Sequence, residues 1–389
     1  MDYIYMDNAA TSYPKAPKVS DAMKYYIDEV GASINRSSYP LAMSCGMKAL
    51  TLRERACRLF NFDNISHVVI TSGATMGLNM VIKGFLKENY KALISPLEHN
   101  SVMRPLNSID IKAKNISYNE FDYPSCLNND YSQLEDMLED ANALIMLHSS
   151  NVSGEVYDIY KIGEICKKKN IAFILDASQS AGHIEIDFKR ANLSALAVPA
   201  HKGLLAPQGI GLLLMKEEFA KNTYPLIEGG TGSVSESFNM PTYMPDRFEA
   251  GTLNIPAIYG FEKSLEFIEN VGIETINAHI SSLYKRFIEG LYNIENKAYM
   301  NILGKEGARN SGIVSIDFLN IDNAVVSDIL ALEYGIYTRS GIHCAANAHK
   351  VLGSFPRGSV RFSLGYFNTK EQVDKTLSAI EKICKEYKN

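Results

Sequence analysis

The stretch from Ile171 to Leu214 limits the possible folds of this chain more than any other. Its first run, IAFIL, is apolar, rich in β-branched and aromatic residues, and stops abruptly at Asp176. A run this short reads as a strand buried on both faces, as in a parallel sheet covered by helices, rather than as a core helix. A second apolar run, Ala195–Val198, delivers His201 and Lys202 into a glycine-containing turn before GIGLLLMK, a third strand. The three converge on one edge. Ligands of open α/β sheets bind beyond the carboxyl ends of the strands, so Asp176 and Lys202 fall where chemistry is done.

The same unit recurs along the chain. Met47–Phe60 reads as a helix with Leu50, Ala56, Leu59 and Phe60 inward, followed by the strand HVVI, the turn TSGAT and a helix over Thr75–Lys87. Then come the strands KALISPL and ISYNEF, a helix over Tyr131–Leu138, the strand ALIMLHSSN and a helix over Tyr160–Lys169. Alternation of this kind predicts an α/β fold with a large, mainly parallel, doubly wound sheet flanked by helices. From Ile255 the pattern changes to long helices up to about Asn293. After these come the strands ILG and IVSIDFL, a helix over Asn323–Tyr334, the strand GIYTR, the loop SGIHCAANAHK, the strand VRFSL and a last helix. That helix carries Val373, Leu377, Ile380, Cys384 and Tyr387 as an inward stripe. We expect a large domain over 16–254, and a smaller α+β domain built from 1–15 and 255–389.

A chain of 389 residues with 46% hydrophobic content can bury cores of this size. The net charge of −5, without a basic run, argues against nucleic acid or an anionic membrane as partner. MDYIYMDNAA has neither the basic n-region nor the apolar h-region of a signal peptide, and no stretch is apolar enough to span a bilayer, so the expected location is the cytosol. The six cysteines have neither C-x-x-C nor zinc-type spacing and read as reduced thiols, with no metal site.

A lysine with the usual pKa of about 10.4 is only roughly a thousandth free amine near neutrality. Lys202 as a nucleophile therefore needs burial or covalent capture, and a Schiff base supplies that capture. Asp176 would then keep a pyridinium nitrogen protonated, which is the electron sink of pyridoxal 5′-phosphate (PLP) chemistry. These two residues alone favour something plainer: Asp176 and Gln179 as a capping box, and Lys202 as a solvated turn lysine. Where TSGAT meets its helix, the amides of Ala74, Thr75 and Met76 with the Thr75 hydroxyl would face an anion at the positive end of the helix. Thr75 as a simple cap fits equally well.

Taken together, YMDNAAT, LDASQSAGHIEID, HKGLLAPQGIG, RFEAGTLN and VRFSLGYFNT resemble the class V aminotransferase group, specifically its cysteine desulfurases and selenocysteine lyases. The resemblance spans nearly the whole chain. It implies the fold type I of PLP-dependent transferases, with Lys202 as Schiff-base lysine and Asp176 and Gln179 in the cofactor segment. Further, His99 would stack on the cofactor ring and shuttle protons, and Asn151 would lie near the ring oxygen and the substrate carboxylate. His201 and Thr75 would hold the phosphate, with Thr252 reaching it from the neighbouring subunit of a homodimer. The arm bearing Ala10 would lie beside the substrate, and Arg361 would grip its α-carboxylate as a bidentate guanidinium. Relatives usually have an acid where this chain has Met76, and a serine or threonine where it has Pro199. Proline offers neither hydroxyl nor N–H, which leaves the phosphate one donor short.

Cys344 lies in RSGIHCA, a polar, glycine-containing loop, with Arg339 and His343 nearby to favour thiolate by positive charge. It coincides with the group's sulfur-accepting cysteine, in the branch with a short loop. Arg339 falls with the substrate-binding residues. The implied reaction takes L-cysteine to L-alanine, with a persulfide left on Cys344 for an acceptor protein, or acts on L-selenocysteine. Two other readings stay open at this point. One is an aminotransferase or epimerase with Cys344 idle; the other is a non-catalytic scaffold binding a sulfur-carrier partner. A dehydrogenase is disfavoured, because the chain has neither a G-x-G-x-x-G nor a P-loop opening a helix.

Overall fold

A computed structural model describes residues 3–34, 38–110, 117–121, 126, 130–294 and 299–387. The strands are β1 (Ile4–Tyr5), β2 (Val68–Thr71), β3 (Lys91–Ile94), β4 (Ser117–Glu120), β5 (Ala143–Leu147), β6 (Ala172–Asp176), β7 (Ala195–Pro199), β8 (Gly211–Met215), β9 (Met300–Ile302), β10 (Ile313–Phe318), β11 (Ile336–Tyr337), β12 (Arg339–Gly341) and β13 (Ser359–Ser363). The α-helices are α1 (Val19–Tyr25), α2 (Pro40–Phe60), α3 (Ala74–Phe85), α4 (Asn100–Asp110), α5 (Ser132–Met137), α6 (Ile159–Lys169), α7 (Glu217–Lys221), α8 (Ile255–Val271), α9 (Ile273–Asn293), α10 (Asn323–Tyr334), α11 (Ala346–Val351) and α12 (Lys370–Glu386). Ile116, the first residue of the expected strand ISYNEF, lies outside the described residues.

β2 to β8 form one seven-stranded sheet in the order β2-β8-β7-β6-β5-β3-β4, parallel except for β8, which runs against both neighbours. The carboxyl ends of β5, β6 and β7 therefore share an edge with the start of β8. Burial on both faces, inferred from the unbroken apolar runs, holds for β2 and β5 to β8, whereas the edge strand β4 is mostly exposed. Leu144, Phe173, Leu175, Leu196 and Leu212 pack on one side, and Ile145, Ile174, Ala197 and Leu213 on the other. Burying a side chain of this size stabilises by about 1.5 to 3 kcal/mol, so a slip of one residue in register would exchange these faces at high cost.

A second sheet, β12-β13-β10-β9, is antiparallel throughout. The N-terminal arm reaches it through a bridge from Asp7 to Ser363, and β1 pairs with β11 in a separate parallel two-stranded sheet. α9 packs on α12, whose start is fixed by a capping box between Thr369 and Gln372. Among the described residues no helix is long and apolar enough to cross a membrane.

Several expected boundaries and faces are corrected. The helix expected from Met47 starts at Pro40, in the first-turn position that proline favours. Its buried stripe runs through Cys45, Ala49, Leu52, Ala56 and Phe60, which turns Leu50 to solvent. Tyr387 follows α12 and is exposed. GIYTR is not one strand but two, with Arg339 opening the second.

Candidate active site

The loops beyond β2, β5, β6 and β7 enclose a cavity of about 290 Å³, lined among others by Thr75, His99, Asn151, Asp176, Gln179, His201 and Lys202. Asp176 is the last residue of β6 and is buried. No helix follows it, so the capping-box reading fails. Ser178 instead donates its backbone N–H (2.9 Å) and its hydroxyl to Asp176 Oδ1, and Gln179 Nε2 donates to the Ala9 carbonyl (3.0 Å). Nor is Lys202 a solvated lysine. Burial in the cavity wall lowers its ammonium to about 8, against the pull of Asp176 and with help from Arg361 and Arg339.

His99 stands at the mouth of α4. Its Nδ1 accepts from the Ser101 backbone N–H (3.0 Å), which puts the ring proton on Nε2. Burial and Lys202 lower the ring to about 4, so it is neutral near pH 7. His201 is lowered to about 4 by burial and then by Lys202, and its Nδ1 is buried without a hydrogen-bond partner. α3 starts from Gly73, whose φ of 149° is open to glycine alone, and has no side-chain cap. Thr75 thus lies inside the helix and does not cap it. The first-turn amides, which no intrahelical carbonyl can satisfy, belong to Ala74, Thr75 and Met76, which line the cavity.

This donor set fits PLP. An uncapped helix start beside His201 suits a phosphate, a buried carboxylate at Asp176 suits a protonated ring nitrogen, and the lowered lysine suits a carbonyl carbon. Pro199 pairs with Gly211 at the end of β7 and lines the cavity without a donor.

The two arginines expected to bind a substrate carboxylate lie in the second sheet. Arg361 is 1% exposed; its Nη2 is paired with Asp7 Oδ1 (2.9 Å), its Nη1 donates to the Asn151 carbonyl (3.1 Å), and its Nε has no partner. Across the sheet, Arg339 sits opposite Arg361 and brings its Nη2 within 3.9 Å of Cys344 Sγ. Cys344 is exposed, whereas the other five cysteines are buried. His343 does not provide the expected positive charge. It is 3% exposed, and burial with Arg361 nearby pushes it down to about 2, so the ring is neutral.

Five expected residues do not line the cavity: Arg339, Arg361 and Cys344, which adjoin it through Asn151 and Asn100, and Thr252 and Ala10. Thr252 is exposed and lines a separate small depression with Asp246 and Glu249. Ala10 stays in the arm, its N–H bonded to the Asp7 carbonyl. Four contributors escaped the sequence reading: Asp7, Ser101, Ser178 and Lys15. Lys15 Nζ donates to the His201 carbonyl (2.9 Å) and, lowered by burial, sits at about 8. Asp7, in YMDNAAT, and Ser178, in LDASQSAGHIEID, lie in motifs of the sequence; Ser101 and Lys15 carried no signal.

Residues 4–376 match the family description Aminotransferase class-V. The chain is 31% identical to a probable cysteine desulfurase of Pyrococcus abyssi, covering 99% of this chain and 95% of the relative. It is 29% identical to a probable cysteine desulfurase of Borreliella burgdorferi, covering 98% and 92%. Among solved structures, the apo cysteine desulfurase of Thermococcus onnurineus superimposes with a TM-score of 0.91 at 30% identity, over 99% of this chain and 95% of that one. The cysteine desulfurase CsdA of Escherichia coli, at 23% identity, shares the fold with a TM-score of 0.87 over 99% and 95%.

Proposed function

The chain belongs to the class-V aminotransferase family, and on that premise we propose that it is a PLP-dependent cysteine desulfurase that forms L-alanine and a persulfide on Cys344. The observation that carries this reading is the convergence of a lowered lysine, a buried aspartate and a neutral histidine in one cavity, with an exposed thiol beside an arginine at its border. PLP, when bound, supplies an electron sink for the substrate's Cα. Lys202 Nζ, about a tenth free amine at pH 7 given a pKa of about 8, moves the α-proton. Asp176 would supply the negative charge for a protonated ring nitrogen, and His99 would lie against the ring with Nε2–H available to donate. The first amides of α3, Thr75 and His201 would hold the phosphate, and Thr252 would complete that site in a second copy. Arg361 and Arg339 receive the substrate carboxylate.

The sulfur step balances without an external oxidant. The substrate's Cβ–S bond breaks, an S–S bond forms to Cys344 Sγ, and the Cβ gains hydrogen to give alanine. Exposure of Cys344 leaves the persulfide open to an acceptor protein. For the dimer, α2 supplies an exposed stripe, Met43, Met47 and Leu50, at helical spacing, and Phe238 stands fully exposed on the loop preceding Thr252. The arm's pairing with β11 and β13 supports counting 1–15 with 255–389 as the smaller domain and 16–254 as the larger. Free, mostly buried cysteines support a reducing compartment, the cytosol.

The reading is tested by supplying PLP and reducing with borohydride. A yellow absorbance that bleaches, with the modified peptide carrying Lys202, is expected; Lys202→Ala should retain no reducible adduct. An adduct on another lysine, or none, would overturn the assignment.

A further inference from the structure

The Cys344 loop combines an unusual backbone with bonds that hold it from two sides. His343 (φ 52°) and Cys344 (φ 57°) both lie in the left-handed region, which costs residues with a Cβ. Strain in two consecutive side-chain-bearing residues persists only where the surroundings impose it. Here each carbonyl has a partner: Asn151 Nδ2 donates to the His343 carbonyl (2.7 Å), and the Asn100 N–H donates to the Cys344 carbonyl (2.8 Å). On the other side, the His343 ring is pinned by Nε2 to Ser359 Oγ on β13 (3.1 Å).

Asn151 thus does more than line the cavity. A carbonyl can only accept, so the group facing His343 is the amide NH₂, and the residue offers the cavity only Oδ1, which is buried without a partner. Its own backbone carbonyl accepts from Arg361. One residue therefore joins the proposed carboxylate seat to the backbone of the nucleophile. From this geometry we propose that Asn151 is a positioning residue for Cys344. Through His343, with Ser359 as the opposing brace, it holds the loop in the strained form that keeps Sγ beside Arg339. The role of Cys344 in sulfur transfer rests on the functional reading above; the brace itself does not.

The test uses PLP-loaded wild type, Asn151→Ala and Ser359→Ala. Ser359 is buried on β13 and does not line the cofactor cavity, so its variant loosens the loop from the other side. Cys344 is the one exposed thiol, so iodoacetamide reports on it selectively. Release of the loop from Arg339 should change its alkylation rate by about fivefold in both variants, with the count of alkylated thiols staying at one. In Ser359→Ala the cofactor absorbance and the KM for L-cysteine should be retained, while kcat for alanine falls by roughly tenfold or more through misplacement of Sγ. A variant that merely unfolds would expose further thiols, and if Asn151→Ala does so, Ser359→Ala decides alone. Wild-type alkylation rate and kcat in Ser359→Ala would overturn the proposal. So would an Asn151→Ala protein that loses cofactor absorbance at an unchanged alkylation rate, for then the residue serves the cofactor alone. Absence of alanine even from wild type would defeat the functional reading, while alkylation would still decide the brace.

Discussion

Replacing Asp7 should weaken the fold and the substrate site together. Arg361 is almost wholly buried and Asp7 is its one ion-pair partner among the described residues, at 2.9 Å. For charge centres about 4 Å apart, an effective dielectric constant near 20 gives an attraction of about 4 kcal/mol. The Asp7 side chain keeps 20% of its exposure and the Asn151 carbonyl still receives one Arg361 donor, so part of that attraction is screened or retained. We expect Asp7→Ala to lower the unfolding free energy by about 2 to 3 kcal/mol, below the usual range for stripping a partner from a fully buried charge. The assay is a double-mutant cycle in urea with Asp7→Ala, Arg361→Met and the pair. Because Arg361→Met also removes the charge that Asp7 leaves behind, the pair should be less destabilised than the sum of the singles by about 2 kcal/mol. Additivity within about 0.5 kcal/mol would refute the argument that this contact neutralises a buried charge.

Pro199→Ser should tighten PLP by about 1 kcal/mol, the net worth of one hydrogen bond. Equal dissociation constants would mean that another group already serves the phosphate. Acid should destabilise the protein from pH 6.5 downwards. Burial lowers His148 to about 3 and His183 to about 4, so between 6.5 and those values the unfolded chain binds more protons. Each such histidine contributes a slope of up to about 1.4 kcal/mol per pH unit; a flat melting temperature from pH 6.5 to 4.5 would contradict this. Glu98 acts in the opposite direction. Burial raises it to about 8, so its stabilisation is full below the unfolded carboxyl value and is lost as pH rises through 8. Glu98→Gln should therefore melt above wild type at pH 9 but not at pH 5.

The large sheet was legible because most of its strands are buried on both faces, and unbroken apolar runs such as ALIML and IAFIL leave little else to be. Lys202, Asp176 and His99 were legible for a related reason: each follows such a run. Long-range pairings were not. Asp7 and Arg361 are 354 positions apart, and nothing local in either segment announces the other. Loop chemistry misled in the case of His343, whose polar neighbours suggest a solvated cation, although the fold buries the ring against Ser359 and keeps it neutral. Leu50 misled for another reason. The helix starts earlier than its apolar spacing suggested, and its core stripe passes one position away from Leu50. The left-handed backbone at His343 and Cys344 had no signal at all, because such geometry is usually announced by glycine or asparagine.

The central claim is that this cavity moves sulfur from L-cysteine to Cys344, and mass spectrometry of the PLP-loaded protein after exposure to L-cysteine tests it most directly. The account predicts the added mass of one sulfur on the peptide containing Cys344, reversed by a thiol reductant and matched by one alanine. Cys344→Ala should carry no added sulfur and form no alanine from cysteine, while retaining much of its alanine formation from selenocysteine, because selenium leaves more readily. Undiminished alanine formation from cysteine by Cys344→Ala, or an unmodified Cys344 in a wild type that turns over, would contradict the account.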